Sequence, residues 1–229
     1  KTLAHLLLVI FLPLLGIFIY FSFGINYRKN KLYSKKIIQD SKQEKLVLEK
    51  LDLYNTRNLD QLVGHKDFFS LMKMIYETDK SPLTSNNKVQ LLSNGEEKFP
   101  EVLKALENAK HHIHIEYYIY EDDETGRSIE KILIQKAKEG VEVRFIYDDF
   151  GSSSIRKNLV KRLRENGVNA FPFYKIKLIK FANRLNYRNH RKIIVIDGNI
   201  SFVGGINISD KYDNSRTGNK LFWRDMHLK

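Results

Sequence analysis

Cysteine is absent from all 229 residues, which excludes a disulfide framework and any thiolate metal centre and fits a reducing compartment. Acidic residues are scarce: 27 Asp and Glu stand against 39 Lys and Arg, a formal net charge of +12. So basic a balance points to an anionic partner, either nucleic acid or a lipid surface. There is no internal repeat and no low-complexity tract. An initiating methionine is also missing. The chain opens on Lys1 and stops at Lys229, just after Trp223-Arg224-Asp225. It is expected to be a segment of a longer protein, cut at both ends and long enough for one ordinary domain plus a short appendage.

The amino-terminal residues are apolar. Leu3 to Phe23 carries no formal charge apart from His5, and as a helix it would span roughly 30 Å, the thickness of a bilayer core. Pro13 and Gly16 inside it are tolerated in membrane helices. A signal peptide would have a shorter apolar region and a small-residue cleavage site, whereas Asn26-Tyr27-Arg28 follows here. A transmembrane helix is therefore expected within residues 1–26. From Tyr27 to Lys50 there are eight Lys or Arg and three acids, which places the remainder of the chain on the cytoplasmic side.

Residues 27–80 are expected to form a basic juxtamembrane linker, helical over Leu32–Leu62 and again over Phe68–Tyr76, because apolar positions recur at intervals of three and four. Ser81-Pro82 and Ser85-Asn86-Asn87 mark a boundary, and residues 81–229 are expected to form the catalytic part. There the pattern alternates. Strands are expected at Val89–Leu92, Ile113–Tyr120, Val141–Tyr147, Val168–Phe173, Lys192–Ile196 and Ile200–Val203. Helices are expected at Glu96–Lys110, Gly126–Lys138 and Ile155–Asn166. Asp197-Gly198-Asn199 reads as a hairpin turn. Such alternation argues for an α/β sandwich with a largely parallel sheet.

Chemistry concentrates in residues 190–207. His190, Lys192 and Asp197 give H-x-K-x4-D, followed by Gly204-Gly205-Ile206-Asn207. An imidazole can attack phosphorus and hold it covalently. A lysine two residues on along a strand points to the same face and can neutralise phosphate oxygens. Small residues at a turn let backbone amides approach the same phosphate. The contiguous His65-Lys66-Asp67 is a decoy, because its alternate side chains diverge and no glycine turn follows. A core strand with a chance His and Lys at its edge would not produce three matching spacings.

This stretch resembles the signature of the phospholipase D superfamily. Ile113-His-Ile-Glu116-Tyr-Tyr-Ile-Tyr120, Glu139 to Asp149, Asn189-His-Arg-Lys192, Gly204 to Asp210 and Trp223-Arg224-Asp225-Met-His227 resemble bacterial cardiolipin synthases. The resemblance implies a phospholipase D-like mixed sheet sandwiched by helices and preceded by the membrane helix. It makes His190, Lys192 and Asp197 the catalytic motif, with Asp197 steadying its loop rather than acting as a base. Gly205 and Asn207 would bind the substrate phosphate, and Asp225 would orient a histidine. It implies transfer of a phosphatidyl group between two phosphatidylglycerol molecules, giving cardiolipin and glycerol through a phosphohistidine. Lysines supply the positive charge, so neither metal nor cofactor is expected, and nucleic acid is not expected as a partner. Two features depart from the family: one membrane helix where two are usual, and one H-x-K-x4-D motif where members carry two. A second catalytic half must come from missing carboxy-terminal sequence or from a homodimer. One motif does not decide which histidine attacks first, and the acceptor stays open among phosphatidylglycerol, phosphatidylethanolamine and water. The competing functions are a nuclease of the same superfamily, working as a dimer of single-motif chains, and a non-catalytic membrane adaptor.

Three further features carry less. His112 and His114 share a strand face but lack a carboxylate or cysteine partner at ligand spacing. Glu121 to Glu124 and Asp148-Asp149 lie at strand ends, where helix capping and cation binding are both open. Arg156 to Lys192 holds twelve Lys or Arg and one acid, interleaved with aromatics, which suits a surface resting on anionic headgroups.

Overall fold

The computed structural model describes residues 10–14, 66–79, 81, 83–173, 175, 188–216 and 221–229. The chain divides into two units, residues 1–88 and 89–229. In the first, helix α1 (Lys66–Asp79) extends the helix expected over Phe68–Tyr76 at both ends. The helix expected over Leu32–Leu62 lies outside the described residues. So does the span Leu3–Phe23, apart from residues 10–14. Among the described residues no helix is long and apolar enough to cross a membrane.

The second unit runs β1 (Leu91–Ser93), α2 (Asn94–Glu107), β2 (His112–Tyr117), α3 (Glu124–Lys138), β3 (Glu142–Asp148), α4 (Leu159–Glu165), β4 (Asn169–Phe173), β5 (Lys192–Ile196), β6 (Ile200–Gly204) and β7 (Met226–Leu228). Single 3₁₀ turns sit at Ser153–Ile155 and Asp210–Tyr212. The strands form one seven-stranded sheet in the order β1-β7-β6-β5-β2-β3-β4. Only β2–β3 and β3–β4 are parallel, and the other four pairings are antiparallel. The sheet is thus mixed, not largely parallel. Helical crossovers force parallel pairing on the β2-α3-β3-α4-β4 half, as the alternation predicts. The other half is closed by the β5–β6 hairpin and by two three-residue strands, β7 beside β6 and β1 at the edge. Of these, β7 is too short to show any periodicity.

Alternation along the strands sorts the two faces. Ile113, Ile115 and Tyr117 of β2, Val143, Phe145 and Tyr147 of β3, Ile194 and Ile196 of β5 and Phe202 of β6 point into one core. Val102 and Leu106 of α2, Ile129 and Leu133 of α3 and Leu159 and Leu163 of α4 complete it. The opposite face bears Glu142, Arg144 and Ile146 of β3 and Ser201 and Val203 of β6, all exposed. Among the described residues, helices therefore cover one side of the sheet rather than sandwiching it. Beside the charged Glu142 and Arg144, that face also exposes the apolar Ile146, Phe171 and Val203.

Carboxylates close the loops. Asp123 caps α3 by accepting from Gly126 N–H at 3.0 Å, and its other oxygen accepts from Asp210 N–H at 2.7 Å. Asp210 in turn accepts from Thr125 N–H at 2.8 Å and Thr125 Oγ1 at 2.6 Å. Asp148 accepts from Gly151 N–H and Asn189 N–H at 2.8 and 3.0 Å, and Asp149 pairs with Arg156 at 2.9 Å. The acidic runs are thus used in capping and loop closure. No group of carboxylates and histidines among the described residues could hold a metal ion.

Asp197 performs the same service at the β5–β6 turn. Asp197 and Gly198 adopt positive φ (53° and 69°), which Asp tolerates and Gly accepts without strain. The Asp197 carboxylate accepts from Lys110, His111 and His112 N–H at 2.9, 2.8 and 2.9 Å, fastening the hairpin to the start of β2. Burial acts to raise its pKa, but the three backbone donors prevail and bring it to about 2. A carboxyl with a depressed folded-state pKa contributes stability above its unfolded value of about 4 and loses it as pH falls towards 2. Asp197→Ala is expected to lower the unfolding free energy by about 1–3 kcal/mol near neutral pH. Denaturant titrations should show the gap to wild type closing between pH 4 and 2.

Candidate active site

The end of β2 and the start of β5 meet in register, Tyr117 opposite Lys192. The segment entering β5 is clamped from both sides of His190. Asn189 is buried and donates its side-chain N–H to Glu116 Oε1 at 2.6 Å, and Arg191 pairs with the same oxygen at 3.5 Å. His190, between them, is exposed. Its ring lies 4.5 Å from the Tyr118 ring. Lys192 is only 4% exposed. Its Nζ lies 2.9 Å from His190 Nδ1, donates to the His190 carbonyl at 2.8 Å and sits 5.2 Å from the centre of the Tyr118 ring. Burial lowers the Lys192 pKa, and Asp225 opposes the shift. An ammonium can only donate, so with Lys192 charged His190 Nδ1 is the acceptor and the proton of the neutral ring is on Nε2.

Of the three motif residues, His190 and Lys192 are together and Asp197 is apart. Four strand residues separate Asp197 from Lys192, and the five steps span roughly 16 Å at strand rise. The remaining expected residues lie on the other side of Lys192. Gly204 pairs with His227 of β7. A Cβ on Gly204 would come within 2.4 Å of Met226 O and 2.5 Å of His227 Nδ1, and one on Gly205 within 2.2 Å of Asp225 Oδ1. The glycines therefore make room for β7 and for a carboxylate. The Gly205 amide, expected to face the phosphate, instead donates to Met226 O at 3.0 Å, because the β6–β7 ladder extends one residue past the strand. Asn207 is buried. Its Oδ1 accepts from Ile119 N–H at 3.1 Å and its Nδ2 donates to Tyr212 OH at 3.0 Å. Asp225 makes no hydrogen bond to His190; its charge instead favours the ammonium forms of Lys98 and Lys192.

Sequence reasoning assigned no role to two residues at this site. Lys98 of α2 is fully buried, with Nζ 2.7 Å from Ile206 O and 3.3 Å from Asn207 O. A signal existed, since Gly95, Phe99, Val102 and Leu106 define the buried stripe of α2 and Lys98 falls on it. His227 is also fully buried, and neither ring nitrogen has a hydrogen-bond partner among the described residues. Its place on a three-residue strand gave no pattern to read. Burial, reinforced by Lys98 and Lys192, holds its pKa down at about 3. The His112 and His114 rings lie 4.8 Å apart, tilted by 41°, on the strand face away from the core.

A mixed sheet with a His-Lys pair where β2 and β5 meet, backed by a glycine pair, defines an α/β domain of phospholipase D-like class. The family described as "Cardiolipin synthase, PLD-like domain" matches residues 102–226, more than half of the chain, and the chain belongs to that family. Cardiolipin synthase from Alkalihalophilus pseudofirmus is 42% identical over 228 residues, which is 100% of this chain and 44% of the relative. The major cardiolipin synthase ClsA of Bacillus subtilis is 39% identical over 232 residues, 99% of this chain and 47% of the relative. The chain thus spans less than half the length of these relatives. Among solved structures, Nuc from Salmonella typhimurium, a phospholipase D family member, superposes with a TM-score of 0.46 at 18% identity, over 62% of this chain and 80% of that one.

His227 generates a prediction with a definite sign. A histidine kept neutral when folded costs stability below its unfolded pKa, because only the unfolded chain takes up the proton. Stability therefore rises with pH between about 3 and 6.5, by up to about 1.4 kcal/mol per unit. The ring resonances of His227 should not titrate between pH 8 and 5. His227→Phe should flatten the pH dependence of unfolding by about one proton over the same range.

Proposed function

We propose that this chain is the first catalytic half of a cardiolipin synthase, transferring a phosphatidyl group between two phosphatidylglycerol molecules to give cardiolipin and glycerol. The observation that carries the reading is the 2.9 Å His190–Lys192 pair, which lies inside the matched region of a cardiolipin synthase domain family. His190 Nε2 attacks phosphorus and forms a phosphatidyl-histidine, while the P–O bond to the departing glycerol breaks. A second histidine, from the rest of the full-length protein or from a second copy, protonates that glycerol oxygen. The same base then removes the hydroxyl proton of the acceptor lipid, whose oxygen attacks phosphorus and frees His190. For Nε2 to attack, its proton must move to Nδ1, and Lys192 must exchange Nδ1 for a non-bridging phosphate oxygen. There it stabilises the charge that develops in the transition state. Asn207 adds a neutral donor from its second side-chain hydrogen, and Asp225 steadies the lysines rather than a histidine.

The setting belongs to the same proposal. A helix within residues 1–26 tethers residues 27–80 and the catalytic domain to the cytoplasmic face of the cell membrane. The basic, aromatic stretch from Arg156 to Lys192, described only in part, rests on anionic headgroups. His190→Ala in the full-length protein is expected to reduce phosphatidyl transfer by at least about a thousandfold while membrane insertion is unchanged. Transfer to phosphatidylglycerol would be followed with labelled lipid. Near-normal cardiolipin formation by the variant, or plasmid cleavage without lipid transfer by the wild type, would contradict the reading.

A further inference from the structure

Lys98 is a lysine on the buried stripe of a helix, fully removed from solvent. It forms no ion pair among the described residues. Its ammonium lies 5.0 Å from the centre of the Phe99 ring and 4.9 Å from that of Tyr117, and its hydrogen bonds go to two consecutive main-chain carbonyls, Ile206 and Asn207. Burial presses its pKa well down, and Asp225 works against that. A buried lysine with no carboxylate in ion-pair contact is costly, and an apolar side chain would fill the same space more cheaply.

The two carbonyls belong to the segment just after Gly204-Gly205. In a trans peptide the C=O and N–H point in opposite directions. The Asn207–Ile208 peptide shows the consequence: its carbonyl faces Lys98 while Ile208 N–H donates to Ile119 O at 3.1 Å. Ile119 adjoins Tyr118, on which the His190 ring rests. In the preceding peptide the Ile206 carbonyl is also held by Lys98, so Asn207 N–H points away from the lysine. That N–H has no acceptor among the described residues, in a residue that is itself buried. The Gly205 amide is already spent on Met226.

We propose that Lys98 is a positioning residue of the phosphate site: by holding the Ile206 and Asn207 carbonyls it aims the Asn207 main-chain N–H at the bound phosphate. The amide donor expected at the glycine pair is thereby moved two residues along the chain. Lys98 does not touch substrate and acts through the peptide it orients. The inference rests on the phosphatidyl-transfer reading of the site.

The test uses the full-length protein with Lys98→Met, which keeps the shape and removes the donor, and Lys98→Gln, which keeps a donor without the charge. Lys98→Met is expected to leave the melting temperature unchanged or higher, to lower kcat for phosphatidyl transfer at least tenfold with KM within about threefold, and to weaken inhibition by inorganic vanadate at least tenfold. Lys98→Gln should recover part of both losses. A folded Lys98→Met protein with kcat and vanadate affinity within about twofold of wild type would overturn the proposal. Failure of both variants to fold would also overturn it, in favour of a purely structural lysine. A wild-type protein inactive on phosphatidylglycerol would sink the functional reading instead, and vanadate affinity would still test Lys98 by itself.

Discussion

Two ammonium groups, Lys98 and Lys192, are held out of water with one carboxylate, Asp225, near enough to favour their charge. Burying charge is expensive unless it is compensated, and much of the local structure supplies the compensation. Main-chain carbonyls of Ile206, Asn207 and His190 accept from the ammoniums. Aromatic faces of Phe99, Tyr117 and Tyr118 lie beside them. The glycine pair is needed because β7 and the Asp225 carboxylate occupy the space that side chains at Gly204 and Gly205 would fill. The two lysines and the neutral His227 leave the site short of negative charge, which suits an anionic phosphodiester.

The sheet register explains how distant sequence segments meet. Leu92, His227 and Gly204 stand opposite one another across β1, β7 and β6, and Lys192, Tyr117 and Tyr147 across β5, β2 and β3. Continuing the β5–β6 register sets Lys192 beside Gly204, so all six residues form one row. A single missing side chain in that row, at Gly204, lets His227 lean towards Lys192. The loops that hold the row are closed by carboxylates: Asp197 at one end of β2, Asp148 beside the entry to β5, and Asp123 with Asp210 between α3 and the segment after Asn207. In the sequence Asp123 and Asp148 are open between capping and cation binding, and Asp197 is expected to steady its loop; in the fold all of these acids act as fasteners.

Most of the fold was legible because its signals are periodic. The strands and helices from β2 to β6 fall within a few residues of their expected positions, except that α4 begins four residues late, after a 3₁₀ turn. Periodicity says nothing of pairing direction: the hairpin turn at Asp197-Gly198-Asn199 gave the antiparallel β5–β6 pair, but nothing in the pattern gave the antiparallel β2–β5, β6–β7 and β1–β7 pairings. The pairing of His190 with Lys192 was readable because two residues along an extended chain return to one face. The destinations of Gly205 and Asp225 were not, since both depend on β7, whose three residues carry no pattern. Lys98 was hidden for a different reason: a lysine reads as solvated until the helical phase that buries it is drawn. The resemblance to cardiolipin synthases rested on whole segments such as 189–192 and 204–210, and the domain family matched over residues 102–226 agrees with it.

The measurement that bears most directly on the account is the identity of the covalent intermediate. Full-length protein would be mixed with phosphatidylglycerol labelled in the phosphatidyl group, quenched within a turnover, digested and mapped. The account predicts an acid-labile, base-stable label on the peptide carrying His190. A label on another residue, or cardiolipin formed with no enzyme-bound phosphatidyl group at any time, would contradict it.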